Sequence, residues 1–174
     1  MGVKSLFICI LLILLMSADI KIFLSIYENK IDDKKRVSVP AQFRSIIEGK
    51  GDSIIYAYPS LKNQCLEVCT PQRINELESH IESFDIFSEE RDILATSILG
   101  ACEPMQIDAK GRISISDRLL DFAQIDKEIV FVGKGKIFEI WNKQDFNNYF
   151  NYARSNVRNS SLFTDKLKNS EAKL

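Results

Sequence analysis

The sequence predicts an α+β fold in which one small unit is used twice. Three observations carry that expectation. The stretch IDDKKRVSVP (31–40) returns as IDAKGRISIS (107–116), with Ile, Asp, Lys, Arg and Ser at matching offsets. Strand-like and helix-like runs follow it in the same order in both halves, and CLEV (65–68) and IFEI (137–140) each place Glu third between apolar residues. One such unit exposes its sheet edges and buries too little apolar surface to stand alone, whereas two units can interleave and close a small β-barrel with helices at its periphery.

The elements read in order as strand, loop, strand, helix, strand, strand, helix. From Phe23, FLSIYENKID mixes Phe23, Leu24, Ile26, Tyr27 and Ile31 with polar residues, as a half-buried extended segment does. RVSV follows as a short alternating strand. Pro40 and Gly49 then mark the start and stop of a helix over AQFRSIIE. SIIYAYP and CLEVC are β-rich runs separated by LKNQ, and Thr70-Pro71 opens a second helix with Ile74, Leu77 and Ile81 on one face. In the second half PMQID and RISI are strand-like, and Ser116 can cap DRLLDFAQI. EIVFV and KIFEIW join through Gly133-Lys134-Gly135, and Asn142 can cap KQDFNNYFNYAR. Between the halves, Ser88-Glu89-Glu90 starts a helix with Ile93, Leu94, Ser97 and Ile98 on one side, packed on the core or on another subunit. From Arg154 onward the chain is polar, and a frayed tail is expected.

Several function classes drop out on composition. Cys9, Cys65, Cys69 and Cys102 form no Cys-x-x-Cys pair, and His80, the single histidine, is far from them in sequence, so no metal site is expected. The three downstream thiols read as small core hydrophobes. With no carboxylate pair, metal cluster or nucleophile–base set, no catalytic residue, cofactor or small-molecule substrate is expected. Twenty-three basic against 24 acidic residues leave a net charge of −1, so an anionic partner must be met by a local patch and not by the bulk field.

The amino terminus stands apart. A single Lys4 precedes 11 unbroken apolar residues from Leu6 to Met16, the outline of a secretory h-region but short of the roughly 20 residues a spanning helix needs. Met16 is itself a workable initiator. Two readings follow: an apolar extension outside the fold, or an exported or membrane-anchored protein of the cell envelope that works by interaction.

The repeated segment sets Asp and Arg four positions apart at a strand junction, in Asp32-Asp33-Lys34-Lys35-Arg36 and in Asp108-Ala109-Lys110-Gly111-Arg112. A tight turn accounts for part of this, since Asp bonds backbone amides and Gly111 permits positive φ. The other reading is that the tips carry cations to a phosphate backbone, with Asp orienting Arg. Lys30 to Arg44 holds five basic and two acidic residues, a local +3, and Asp108 to Arg118 three and two, a local +1. Neither would hold DNA alone, so several copies on one surface would be needed.

From Phe23 to Tyr149 the chain resembles the MraZ family of bacterial transcriptional regulators, built from two AbrB-like units. The resemblance rests on Asp-x-Lys-x-Arg followed by VSVPAQFR, and on IDAKGRISI followed by LLDFAQIDKEIVFVGKGKIFEIW. It departs where the family's usual first-turn Gly is Lys35 and its second-unit Pro is Ser116. The resemblance implies duplicated swapped-hairpin units closing a small β-barrel, with 23–86 and 103–153 as the units, 87–102 as a linker helix, 1–22 outside the fold and 154–174 as a polar tail. It implies a ring-shaped homo-oligomer in the cytoplasm and on the nucleoid, with no membrane partner. That ring would bind double-stranded DNA at repeats upstream of the division and cell-wall genes. The DNA-facing residues carried over are Asp32, Lys34, Lys35, Arg36, Asp108, Lys110 and Arg112.

Overall fold

The computed structural model describes residues 22–49 and 51–159. The apolar run from Leu6 to Met16 and the end of the tail lie outside them, and none of the described helices is long and apolar enough to cross a membrane. In chain order the elements are β1 (Ile26–Lys30), β2 (Arg36–Ser38), α1 (Ala41–Glu48), β3 (Ile54–Pro59), β4 (Cys65–Cys69), α2 (Pro71–Glu82) and α3 (Glu89–Leu94). A π-helical turn (Ala95–Gly100) continues α3, and β5 (Glu103–Gln106), β6 (Arg112–Ser114), α4 (Asp117–Phe122), β7 (Glu128–Lys134), β8 (Ile137–Asn142) and α5 (Lys143–Asn159) complete the chain.

The fold is α+β, with an antiparallel sheet of six strands in the order β1-β7-β8-β4-β3-β5 and a separate ribbon, β2-β6. Only the hairpins β3–β4 and β7–β8 pair within their own half. β1 lies on β7 of the second half, β5 lies on β3 of the first, and β4 meets β8 at the centre. Exchanging each strand for its sequence counterpart reverses the order and leaves it unchanged. Registers obey the same rule: Arg36 faces Ser114 while Ser38 faces Arg112, and Glu67 faces Glu139. The two matching glutamates in CLEV and IFEI are therefore the central pair of the sheet.

The closed barrel expected from the sequence is not formed. β1 and β5 remain as sheet edges, because the three-residue strands β2 and β6 pair only with each other. The ribbon instead turns Val37 and Ile113 into the core from one side. Phe43 of α1 sits at the centre, with the rings of Phe23, Tyr27 and Phe138 all within 5.3 Å, edge-on or tilted. This aromatic packing, added to burial, gives α1 most of its anchoring.

Cap chemistry explains the helix ends. Ser116 Oγ accepts the Leu119 amide at 3.3 Å, and Asn142 Oδ1 accepts the Gln144 amide at 2.8 Å. Thr70 differs from expectation: its buried hydroxyl makes no bond, and α2 starts on Pro71 alone. Of the linker-helix residues, Leu94 and Ile98 pack on Tyr58, Cys69 and Ile81 within the chain, while Ile93 is exposed. Helix α5 runs past Arg154 to Asn159, because Phe146, Tyr149 and Phe150 lay one face on Trp141 and the helix continues beyond the contact.

The segment before β1 depends on one glycine. Phe23 bridges Gly135, and a Cβ on Gly133 would lie 2.4 Å from the Leu24 amide nitrogen. Gly133→Ala should therefore displace Phe23 from the aromatic cluster and cost roughly 1–3 kcal/mol as over-packing, read as a lowered urea midpoint with an unchanged slope.

Candidate nucleic-acid interface

Each repeated segment folds into the same clamped turn. Asp32 Oδ1 accepts the amides of Lys34 and Arg36 at 2.9 Å each, and its Oδ2 accepts Arg36 Nε at 2.9 Å and Nη2 at 2.7 Å. Asp108 repeats the set with Lys110 and Arg112, at 2.8, 3.0, 2.9 and 2.6 Å. The carboxylate thus closes the turn with one oxygen and orients the guanidinium with the other, a bidentate charge-assisted arrangement. These hydrogen bonds from Arg36 and Arg112 hold both carboxyls down at about 2.

The turn needs a left-handed residue at its fourth position. Gly111 takes it with φ 73°, and Lys35 takes it with φ 58°. Both amides donate back to the leading Asp carbonyl at 2.8 Å, so Lys35 leaves the turn geometry unaltered. A non-glycine residue there carries a steric penalty of about 1–2 kcal/mol.

Both turns share one surface. Lys35 O accepts the Ile115 amide at 3.0 Å and Gly111 O accepts the Val39 amide at 2.9 Å, so each turn is fastened to the opposite half. Along the ribbon Val37 and Ile113 point inward, while Arg36, Ser38, Arg112 and Ser114 lie on the outer face. Arg36 and Arg112 are diagonal neighbours across that face, a spacing of about 7–8 Å in an antiparallel pair. Lys34 and Lys110 are exposed at the tips and make no ion pair among the described residues. Lys35 is paired to Asp117.

The two tips differ in what surrounds them, and the difference does not follow the local charges of +3 and +1 counted along the sequence. Asp117, Asp121 and Asp126 of the second half line a groove against the first turn, together with Asp33, Lys35 and Lys127. Asp32 lines it too; with that carboxylate paired to Arg36 and Lys34 counted, three cations stand there against the four remaining carboxylates. At the answering positions around the second turn stand Ala41, Ser45, Asp52 and Ala109, and Arg44 of α1 lies directly over Gly111, where an added Cβ would meet its Nη1 at 2.5 Å. Arg44 Nη1 donates to Val39 O at 3.1 Å, and neither Arg44 nor Lys110 makes an ion pair among the described residues. Arg44 belongs to the second tip although the sequence sets it beside the first. Only the exchange of helices between halves reveals this, and no signal in the local sequence does.

Two outcomes follow from the turn geometry. Lys35→Gly should raise stability by about 1 kcal/mol by relieving the left-handed strain, as measured by urea unfolding. The depressed carboxyls of Asp32 and Asp108 contribute stability that is complete above the unfolded value of about 3.9 and is lost as pH falls through about 2. Carboxyl-carbon NMR titration should place both midpoints near that lower value, and midpoints near 3.9 would contradict the clamp.

Comparison with known proteins places the chain in a family. A family described as "MraZ protein, putative antitoxin-like" matches residues 98–166. The chain is 45% identical over 154 residues to the transcriptional regulator MraZ of Pelagibacter ubique (strain HTCC1062), covering 87% of this chain and 99% of that protein. It is 44% identical over 133 residues to the transcriptional regulator MraZ of Rickettsia rickettsii (strain Sheila Smith), covering 76% and 89%. To that of Rickettsia typhi (strain ATCC VR-144 / Wilmington) it is 42% identical over 134 residues, covering 77% and 90%. With identity of that order along nearly the whole length of a relative, this chain belongs to the MraZ family, a family of transcriptional regulators and not of enzymes.

Proposed function

We propose that this protein regulates transcription by binding double-stranded DNA through its two Asp-x-x-x-Arg turns. In this reading Lys34, Lys35 and Arg36 with Asp32, and Lys110 and Arg112 with Asp108, form the contact surface. Several subunits in a ring of identical copies present that surface together. The targets are short repeats upstream of the division and cell-wall gene cluster, and the protein works in the cytoplasm on the nucleoid. The chain is taken as two AbrB-like swapped-hairpin units, 23–86 and 103–153, joined through 87–102. Support for that division comes from the exchange of β1 and β5 between halves.

The observation that carries the reading is the pair of clamped turns fastened to one ribbon, with both arginines on its outer face. The chemistry suits a phosphate backbone. Each Asp consumes Nε and Nη2 of its Arg and leaves Nη1 without a partner among the described residues, so the guanidinium is held in place yet keeps donors for an anion. Exposed Lys34 and Lys110 add point charges at the tips. In a near-neutral chain, affinity for DNA then depends on multiplying this small surface by the number of subunits.

Fluorescence anisotropy of the full chain on its own upstream DNA tests the proposal. Affinity should fall steeply with salt, with a log–log slope of about −0.9 for each phosphate neutralised. Lys110→Ala should weaken binding and flatten that slope more than Lys34→Ala, because the second tip is cationic and the first is flanked by aspartates. Salt-insensitive binding, or an intact oligomer that ignores DNA, would overturn the reading.

A further inference from the structure

Two features, one on the sheet's outer face and one on the turn between α2 and α3, remain without a role in the proposed DNA-contacting surface. The first is a cavity of about 470 Å³ over the central strands, walled by Tyr58, Leu61, Leu77, Ile98, Ile137 and Tyr149. It lies between α5, which packs on Trp141, and the layer of α2 and the π-helical turn, which packs on Tyr58. Glu67 and Glu139 belong to its lining and are held inward. Tyr58 Oη and Ser60 Oγ donate to Glu67 at 2.9 and 2.8 Å, and Lys134 Nζ and Trp141 Nε1 donate to Glu139 at 2.6 and 2.7 Å. Lys62, Arg73 and Lys134 also line it, and Lys62 makes no ion pair among the described residues.

The second feature is an apolar knob. Between α2 and α3 the chain makes a tight turn in which the Ser88 amide donates to Asp85 O at 2.9 Å and the Phe87 amide to Asp85 Oδ1 at 2.8 Å. The two corner positions, which usually hold Gly, Pro, Asn or Ser, hold Ile86 and Phe87, exposed by 67% and 93%. A large aromatic side chain almost wholly in water, beside a second apolar residue, marks a contact surface. The knob is flanked by Asp85 on one side and by Glu89, Glu90 and Asp92 of α3 on the other.

We propose that Ile86 and Phe87 of one subunit seat in the sheet-face cavity of the next copy of this chain. Shape and charge both select that occupant. The cavity has room for two apolar side chains between apolar walls. The knob's acidic flanks meet Lys62, the lining cation that makes no ion pair among the described residues, while Arg73 and Lys134 are already paired with Glu76 and Glu139. Knob and cavity are different surfaces of one molecule, so the contact is heterologous, and heterologous contacts close into rings when their rotation permits. This deepens the ring reading above and rests on it.

Sedimentation velocity on the full chain, on Phe87→Asp and on Leu61→Glu decides the matter. Phe87 is almost fully exposed and Leu61 is 55% exposed, so both variants should melt within a degree or two of the parent. Each alone should lose assembly, with at least a tenfold rise in dissociation constant. Mixing them should give a one-to-one complex, because the first keeps an intact cavity and the second an intact knob. Should the parent assemble while either variant keeps its mass, or the mixture fail to pair, the interface falls and the ring reading stands. A parent that stays monomeric at every concentration removes both.

Discussion

The fold depends on an exchange of strands between the two halves of the chain. β1 has its pairing partner in the second half, β5 has its partner in the first, and the ribbon exists only because β2 and β6 meet. Neither half owns a sheet wider than a hairpin, and a lone hairpin in water is at best marginally stable. Burial follows the same logic. The core around Phe43 takes Phe23 from before β1 and Phe131 and Phe138 from the second hairpin, so removing either half would open it to solvent.

The same exchange builds the surface proposed to meet DNA. Because the turns are tied across halves through Ile115 to Lys35 and Val39 to Gly111, their positions relative to each other are fixed by backbone hydrogen bonds and not by loop preference. The Asp clamps then fix the guanidinium groups relative to the turns. Surface ion pairs contribute little to stability taken singly, and these pairs act mainly to restrict side-chain freedom before any partner arrives.

Much of the local structure was legible in the sequence. Ser116 and Asn142 mark helix starts through cap bonds that act within four residues, Pro40 marks one through its fixed φ, and the short apolar, β-rich runs CLEVC and KIFEIW mark strands. The clamped turns were readable for the same reason, since Asp bonds amides two and four positions away. Pairing partners were not readable, because nothing in β1 or β5 names a distant partner, and the sheet accordingly stays open where closure was expected. The placement of Arg44 over the second turn and of Asp117, Asp121 and Asp126 against the first follows from that pairing alone. Local charge counting was bound to assign them to the wrong tip.

The aspartates beside one turn and the arginine over the other bear on what two like halves in one polypeptide make available. A dimer of separate identical chains is condemned to identical ends, since every substitution appears on both sides of its axis. Joined in one polypeptide, the two halves differ in charge while keeping like turns. The two ends of the ribbon are thereby unlike, and under the proposed reading the molecule would face along a linear partner in one sense and not the other.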